Sequence, residues 1–135
     1  MKALIVVAGL AWAAPNLAFA DQNCGDLSNQ TDMNICSAKA YSKADGELNS
    51  VYKEIEGRLK NDAATKKLLV AAQRGWVSYR DGECKFSASA VQGGTAYALI
   101  FNQCRTGLTQ ARTESLKVYL KCTEGDLDCP VPAAK

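Results

Sequence analysis

Residues 31–60 read TDMNICSAKAYSKADGELNSVYKEIEGRLK, and their periodicity sets the expected fold class. Apolar and small residues recur every three or four positions, at Cys36, Ala40, Ala44, Leu48, Val51, Ile55 and Leu59. Polar and charged residues fill the remaining positions, which is the pattern of an amphipathic helix. Thr31 is the predicted N-cap of this helix. Asn61 and Asp62 end the segment, and Asp62 can cap the helix that follows.

Two further segments have the same periodicity. In residues 63–87 one stripe carries Leu69, Gln73, Trp76, Arg80 and Cys84. A loop of small and polar residues follows at 87–95, and Thr95 is the predicted N-cap of a third helix over residues 96–121. That helix repeats Leu99, Ile100, Cys104, Leu108, Ala111, Leu116 and Leu120 at helical spacing. The prediction is an all-α, disulfide-linked, three-helix up-down-up bundle with long helices.

Five glycines fall inside these predicted helices, at Gly46, Gly57, Gly75, Gly82 and Gly107. Each costs roughly 1 kcal/mol relative to alanine at an exposed helical position. They either permit close approach of another helix or are tolerated because disulfides stabilise the chain.

The first twenty residues have the layout of a secretory signal peptide. Lys2 gives a positive start, residues 3–14 are uncharged and apolar, and the small residues around Ala20 suit cleavage before Asp21. The apolar run is too short to span a bilayer, which needs about 20 apolar residues. We therefore expect a periplasmic or secreted protein without a membrane anchor. Its predicted parts are a signal peptide at 1–20, a helical domain at 21–121 and a tail at 122–135.

The six cysteines of the exported part are expected to form disulfides: Cys24, Cys36, Cys84, Cys104, Cys122 and Cys129. If the first two helices turn near residue 61, residues whose numbers add up to about 123 lie at one level. The first-choice pairing is therefore Cys36–Cys84 with Cys24–Cys104, and the second choice is Cys24–Cys84 with Cys36–Cys104. Only Cys129 in the tail can easily reach Cys122.

An arginine on the apolar stripe of the second segment requires a partner, because an unpaired buried charge is very costly. The same rule, that residue numbers adding up to about 123 lie at one level of the first two helices, predicts an ion pair between Arg80 and Asp45. Arg112 on the third helix is expected near the same level and is a candidate third member of this polar group. Gln73, Trp76 and the adjacent Asp81 complete this group. One interpretation is a structural network that fixes helix register, and the other is a site for a small anion, which arginine binds in a forked manner.

Composition excludes several classes of function. The chain has no histidine, so a Ser-His-Asp triad, a Cys-His pair and a histidine-ligated zinc are ruled out. A net charge of +2 gives no sign of nucleic-acid binding. The prediction is therefore a protein that is not an enzyme and has no metal or cofactor.

The run QRGWVSYRDGEC at residues 73–84 resembles the signature of the LprI-type lysozyme-inhibitor family of small exported bacterial proteins. Asn34 and Cys36 before it, and Cys104, Thr109 and Arg112 after it, follow the order of that family. The resemblance covers residues 24–120 and implies a helical, disulfide-linked envelope protein. Cys122 and Cys129 exceed the four cysteines of the family core and indicate an added bridge in the tail.

The resemblance implies an exported binding protein that inhibits a lysozyme or other muramidase by blocking its cleft. Ser89, Gln92 and Thr95, in the uncharged loop, are the candidate contact residues, because binding residues are often carried by loops. The other hypothesis is an envelope structural or interaction protein with a different partner and no effect on lysozyme. The sequence leaves the oligomeric state open, because the apolar stripe of a long helix can also pack against a second copy of the chain.

Overall fold

A computed structural model describes residues 23–134 and shows three long helices with no strand in that range. A 3₁₀ turn at Cys24–Asp26 precedes α1 (Gln30–Arg58). Next come α2 (Ala63–Ser87), a second 3₁₀ turn at Ser89–Val91, and α3 (Tyr97–Leu120). The predicted all-α three-helix architecture is confirmed. The predicted signal peptide at 1–20 lies outside the described residues.

Side-chain caps account for two of the three helix starts. Asp62 caps α2 as predicted, because its Oδ1 accepts from the Thr65 amide at 2.9 Å. The predicted cap of α1 is wrong: Asn29, with extended backbone, accepts from the Asp32 amide at 2.9 Å, and Thr31 lies inside the helix. Asparagine in this conformation is among the best N-caps.

The predicted cap of α3 is also wrong. Ala96 occupies the N-cap position and makes no side-chain cap. The Thr95 carbonyl oxygen instead accepts a hydrogen bond from Nδ2 of Asn34 on α1, at 2.9 Å. A tertiary contact with α1 therefore acts together with local backbone bonds to hold the chain before α3.

The helices run up, down and up, and α3 packs closely along α1 and against α2, whereas the backbones of α1 and α2 approach each other less. Asn34 contacts the chain just before α3, and Nη1 of Arg58 donates to the Leu120 carbonyl at 2.8 Å, so α1 and α3 are parallel. The apolar core consists of Leu48, Ile55, Leu59, Leu116, Cys122 and Val131. Val131 in the tail is only 4% exposed, so the tail folds back over the end of the bundle where α1 and α3 finish.

The buried face of α3 is more polar than its sequence pattern predicts. Leu99 and Leu116 are buried as expected, but the buried positions between them are Asn102, Thr106, Thr109 and Thr113. The hydroxyls of Thr106 and Thr113 bond to carbonyl oxygens four residues earlier, at 2.8 and 2.9 Å. Opposite them α1 presents small buried residues, Ser37 and Ala44, and Nδ2 of Asn102 donates to Oγ of Ser37 at 3.3 Å.

The disulfides of the structure are Cys24–Cys36, Cys84–Cys104 and Cys122–Cys129. The last is the predicted tail bridge. Both predicted arrangements of the other four cysteines are wrong, because Cys36 pairs with the nearby Cys24 and not with a cysteine of another helix. The 3₁₀ turn folds Cys24 back onto α1 beside Cys36, which leaves Cys84 to meet Cys104 across the 88–96 connection.

Candidate functional site

Arg80 is the centre of a polar cluster that joins α2 to α1. Its side chain is 6% exposed, and Nη1 lies 3.6 Å from Oδ1 of Asp45. Its Nε donates to Oδ1 of Asp81 at 2.8 Å. The predicted ion pair between Arg80 and Asp45 is therefore present. Since the two carboxylates are 38% and 39% exposed, the buried charge is balanced by groups that keep contact with water.

Guanidinium groups and aromatic rings alternate through this cluster and connect all three helices. The guanidinium carbon of Arg80 lies 5.1 Å from the ring centre of Trp76 and 5.4 Å from that of Tyr41. The guanidinium carbon of Arg105 lies 3.8 Å from the ring centre of Tyr41 and 4.3 Å from that of Phe101. Such cation–π contacts contribute about 0.5–2 kcal/mol each. We call this group the Arg–aromatic ladder.

Tyr41 links the ladder to the ion pair. Its hydroxyl lies 3.4 Å from Oδ1 of Asp45 and donates a long hydrogen bond. Burial raises the pKa of the Tyr41 phenol above its ordinary value of 10.0, and the charges of Arg80 and Arg105 act in the opposite direction. The phenol is therefore neutral at physiological pH and remains a donor toward Asp45.

Arg112 joins the cluster at Gln73 and Trp76, not at the Arg80–Asp45 ion pair. Its Nε donates to Oε1 of Gln73 at 3.1 Å, and its guanidinium carbon lies 6.0 Å from the Trp76 ring centre. The structure thus brings together Gln73, Trp76 and Arg80 on α2 with Asp45 on α1 and Arg112 on α3.

Tyr41, Phe101 and Arg105 were missed by sequence reasoning. Tyr41 stands one helical turn before Asp45, so its position on the same face of α1 could have been recognised. Phe101 and Arg105 have the same four-residue spacing on α3. Their meeting with Tyr41 could not be foreseen, since it depends on α3 packing along α1.

An open groove of about 660 Å³ runs beside the ladder between α1 and α2. It exists because these two helices approach each other less closely than either approaches α3. Asp45, Asn49, Gln73, Arg74 and Arg80 are its main polar lining residues. An anion entering the groove would compete with two carboxylates for Arg80, which favours the structural interpretation of this cluster.

The loop between α2 and α3 is exposed but held at both ends. Ala88 is fully buried, Cys84 is bonded to Cys104, and the Thr95 carbonyl is bonded to Asn34. Between these anchors, the 3₁₀ turn and the bond from the Gly94 amide to the Val91 carbonyl, at 3.0 Å, shape the backbone. Gly93 has a φ of +79°, a conformation that favours glycine.

The predicted contact residues of this loop, Ser89, Gln92 and Thr95, are all exposed. The loop carries no charge between residues 86 and 96. It is therefore an uncharged, anchored and exposed segment at the end of the bundle that also carries the Cys24–Cys36 bridge.

The tail at the opposite end carries negative charge. The Cys122–Cys129 disulfide closes a short loop that contains Glu124, Asp126 and Asp128. The Asp126 carboxylate accepts hydrogen bonds from the Thr123 amide at 3.0 Å and from its hydroxyl at 2.8 Å. These bonds, the backbone one first, lower the pKa of Asp126, so the loop stays negatively charged at neutral pH.

Within residues 23–134, no three His, Cys, Asp or Glu side chains are grouped so as to hold a metal ion. No helix in the same range has the length and apolar character needed to cross a membrane.

These features define a small all-helical protein held by three disulfides, which is a covalent pattern typical of proteins outside the cytoplasm. The chain belongs to the LprI family, because the family model described as "Lysozyme inhibitor LprI" matches residues 20–116. The resemblance seen in the sequence is thereby confirmed. The match ends before the Cys122–Cys129 loop.

Two relatives extend this finding. The chain is 32% identical over 123 residues to an uncharacterized protein of Rhizobium meliloti (strain 1021), covering 83% of this chain and 88% of that protein. The fold is similar to the crystal structure of a DUF1311 family protein from Pseudomonas putida KT2440, with a TM-score of 0.61 and 28% identity. That similarity covers 71% of this chain and 95% of the other.

Proposed function

We propose that this protein is an exported, non-enzymatic inhibitor of a lysozyme-type peptidoglycan hydrolase. The observation that carries the proposal is membership of the LprI family over residues 20–116, a family named for lysozyme inhibition. The three disulfides support action outside the cytoplasm. In this proposal residues 1–20 are removed as a signal peptide, and the mature protein begins at Asp21 in the periplasm or the medium.

The 88–96 loop is the element proposed to enter the enzyme cleft. Its anchors hold it in one conformation before binding, which reduces the entropy lost on association. Glycoside hydrolases act with a pair of carboxyl groups. The Ser89 hydroxyl and the Gln92 amide can donate hydrogen bonds to such groups, and the absence of negative charge in the loop avoids repulsion from them.

The acidic tail loop is proposed to assist association with a basic hydrolase. Its carboxylates lie at the end of the molecule remote from the 88–96 loop. They would therefore attract the hydrolase by long-range electrostatics and would not enter its cleft. Electrostatic steering of this kind changes the association rate and weakens as salt concentration rises.

The test is clearing of a bacterial cell suspension by lysozymes of several classes, with and without the oxidised mature protein. We expect stoichiometric protection against one class and loss of protection after the disulfides are reduced. If no class is inhibited, the inhibitor proposal is wrong, and the alternative of an envelope interaction protein with another partner takes its place.

The loop assignment has its own test. Gln92→Glu places a carboxylate opposite the carboxyl pair of the cleft, so we expect the inhibition constant to rise at least tenfold. Asn61→Asp makes the same chemical change in the exposed turn at the other end of the bundle and serves as the control. Equal inhibition by both variants would remove the loop from the contact surface while leaving inhibition itself standing.

A further inference from the structure

Arg105 on α3 carries a positive charge that no described residue neutralises. The residue is only partly exposed. No carboxylate oxygen of the described residues lies within 4 Å of its guanidinium nitrogens. Arg80, in the same Arg–aromatic ladder, instead has Asp45 at 3.6 Å and Asp81 at 2.8 Å. Because a partly buried charge without a counter-ion is unfavourable, Arg105 lacks a partner of the kind that Arg80 has.

The guanidinium group of Arg105 also has more donors than the described residues satisfy. Its Nη2 donates to Oδ1 of Asn102 at 2.6 Å. Its Nε is buried and has no hydrogen-bond partner among the described residues. Its Nη1 makes no hydrogen bond to them either, but this nitrogen is not enclosed. An acceptor that arrives from solution can therefore reach the guanidinium group at Nη1.

Buried polar side chains hold Arg105 in position. Asn102 is 7% exposed and Ser37 is 1% exposed. Nδ2 of Asn102 donates to Oγ of Ser37 at 3.3 Å, and that hydroxyl donates to the carbonyl oxygen of Asn34 at 2.9 Å. The other end of the Asn102 amide, Oδ1, is thereby directed toward Arg105. The guanidinium group is oriented before any ligand binds, which reduces the entropy lost on binding.

Two aromatic rings complete the surroundings of this charge. The guanidinium carbon of Arg105 lies over the rings of Tyr41 and Phe101, at 3.8 and 4.3 Å from their centres. The rings exclude water from the part of the group that they cover, and attraction between opposite charges grows as the local dielectric constant falls. An arginine that contacts rings with its face keeps its edge for hydrogen bonds. An anion is therefore expected to bind more tightly here than at an exposed arginine.

We propose that Arg105 binds a carboxylate group of a ligand through its open Nη1. A carboxylate is planar and accepts charge-assisted hydrogen bonds from guanidinium N–H groups. A singly charged group is favoured over a doubly charged one because Asp45 lies one side chain away, since Tyr41 contacts both Asp45 and Arg105. Repulsion from Asp45 grows with the negative charge of the ligand.

This site is separate from the groove between α1 and α2. Arg105 does not line that groove, and the Arg80 that does already has two carboxylates. Arg105 lies on α3 about 12 Å along the helix from Tyr97, near the end that carries the 88–96 loop. The carboxylate therefore has two sources to be distinguished, a small solute and a side chain of a protein bound at this end.

The first experiment titrates the oxidised mature protein with sodium acetate to about 200 mM, and chloride keeps the ionic strength constant because screening depends on salt. NMR of the arginine Nε–H groups gives a separate signal for each arginine. We expect the Arg105 signal to shift saturably, in the millimolar range, because a single partly exposed charge contact is weak. Arg74, an exposed arginine without an ion pair to the described residues, should shift at least tenfold less.

The second experiment separates ligand binding from a purely structural role. A ligand that binds the folded state raises the thermal unfolding midpoint, so acetate should raise it more than chloride at equal ionic strength. We expect this extra rise in the wild type and in Arg74→Gln, and its loss in Arg105→Gln. Arg105→Lys, which keeps the charge but not the planar group, should retain only part of it. A structural role alone would lower the midpoint of both Arg105 variants and leave its dependence on acetate unchanged.

The third experiment identifies the source of the carboxylate and rests on the proposed function. If Arg105→Gln weakens lysozyme inhibition at least tenfold while Arg74→Gln does not, the carboxylate belongs to the hydrolase. If both variants inhibit like the wild type, or if the wild type inhibits no lysozyme, acetate binding at Arg105 assigns the site to a small solute.

Two results would overturn the proposal. One is an Arg105 signal that does not saturate with acetate or shifts no more than that of Arg74. The other is an acetate-dependent rise of the unfolding midpoint that is the same in Arg105→Gln and in the wild type. Because neither measurement uses a hydrolase, failure of the inhibitor proposal is distinguishable from failure of this one.

Discussion

The buried guanidinium of Arg80 explains how single residues hold the helices of this protein in register. It forms an ion pair with Asp45 on α1, donates a hydrogen bond to Asp81 on its own helix, and makes cation–π contacts with Trp76 and Tyr41. An arginine suits this role because its planar group makes ion pairs at its edge and stacking contacts on its faces. A one-turn slip of α2 along α1 would break the contacts of Arg80 with Asp45 and Tyr41 together.

Removal of the Asp45 carboxylate leaves Arg80 with one acidic partner. We expect Asp45→Ala to lower the free energy of unfolding by about 1–2 kcal/mol, because the lost bond involves a charged group that is partly open to water. Urea denaturation measures the change. Glu47→Ala, an exposed residue on the same helix, is the control and should change stability by less than about 0.5 kcal/mol. Equal values for the two variants would contradict a role for the ion pair.

Asp62 makes the start of α2 sensitive to acid. Hydrogen bonds from Thr65, through its side chain and its backbone amide, lower the pKa of the Asp62 carboxyl below its ordinary value of 3.8. A folded-state pKa below the unfolded one gives stability that is present above pH 3.8 and is lost as the pH falls through the lower value. Asp62→Asn keeps a cap that does not titrate. The stability difference between wild type and Asp62→Asn should therefore shrink between pH 5 and pH 2, and a constant difference would refute this assignment.

At the scale of the helix, α3 is unusual because threonine covers much of its buried face. A threonine hydroxyl can bond within its own helix and leave a methyl group to pack outward. Thr106 and Thr113 do so, but the hydroxyl of the fully buried Thr109 has no hydrogen-bond partner. The threonine hydroxyl is therefore hydrogen-bonded at two of these positions. At Thr109 it is buried without a partner, which lowers the stability of the fold.

Valine substitution separates these cases. Thr109→Val removes an unsatisfied buried hydroxyl and should raise the free energy of unfolding by about 1 kcal/mol. Thr113→Val removes a bonded hydroxyl and should lower it by about 0.5–1 kcal/mol. Thermal and urea unfolding of the two variants, which have the same shape change on the same helix, measure the contrast. A loss of stability in both would show that the Thr109 hydroxyl has a partner in solution.

Disulfides connect the elements of the fold. The number of residues that each one encloses predicts that they contribute unequally to the free energy of unfolding. Cys84–Cys104 spans 20 residues and Cys122–Cys129 spans 7. In the chain-entropy description, replacing each pair by serine costs about 3 and about 2 kcal/mol, respectively. Urea denaturation of the two double variants tests the order, and non-reducing peptide mapping tests the connectivity itself. A peptide containing Cys36 linked to Cys84 would contradict this structure.

For the whole molecule, the bundle places its distinctive surfaces apart. The 88–96 loop is at one end and the acidic tail loop is at the other. The proposed hydrolase contact and the proposed steering charges are therefore separate, so each can be altered by mutation without changing the other.

The helices, the Arg80–Asp45 ion pair and the Cys122–Cys129 bridge follow from the sequence by itself. Periodicity and the hairpin between α1 and α2 are local properties, so residue numbers alone place Arg80 level with Asp45. The pairing of Cys24, Cys36, Cys84 and Cys104, the Asn34 contact with Thr95 and the meeting of Tyr41 with Arg105 are decided only by tertiary structure. The Thr95 and Arg105 contacts depend on α3 packing along α1, and the Cys24–Cys36 bridge depends on the 3₁₀ turn folding back onto α1. These are relations between elements, which no single helical pattern contains.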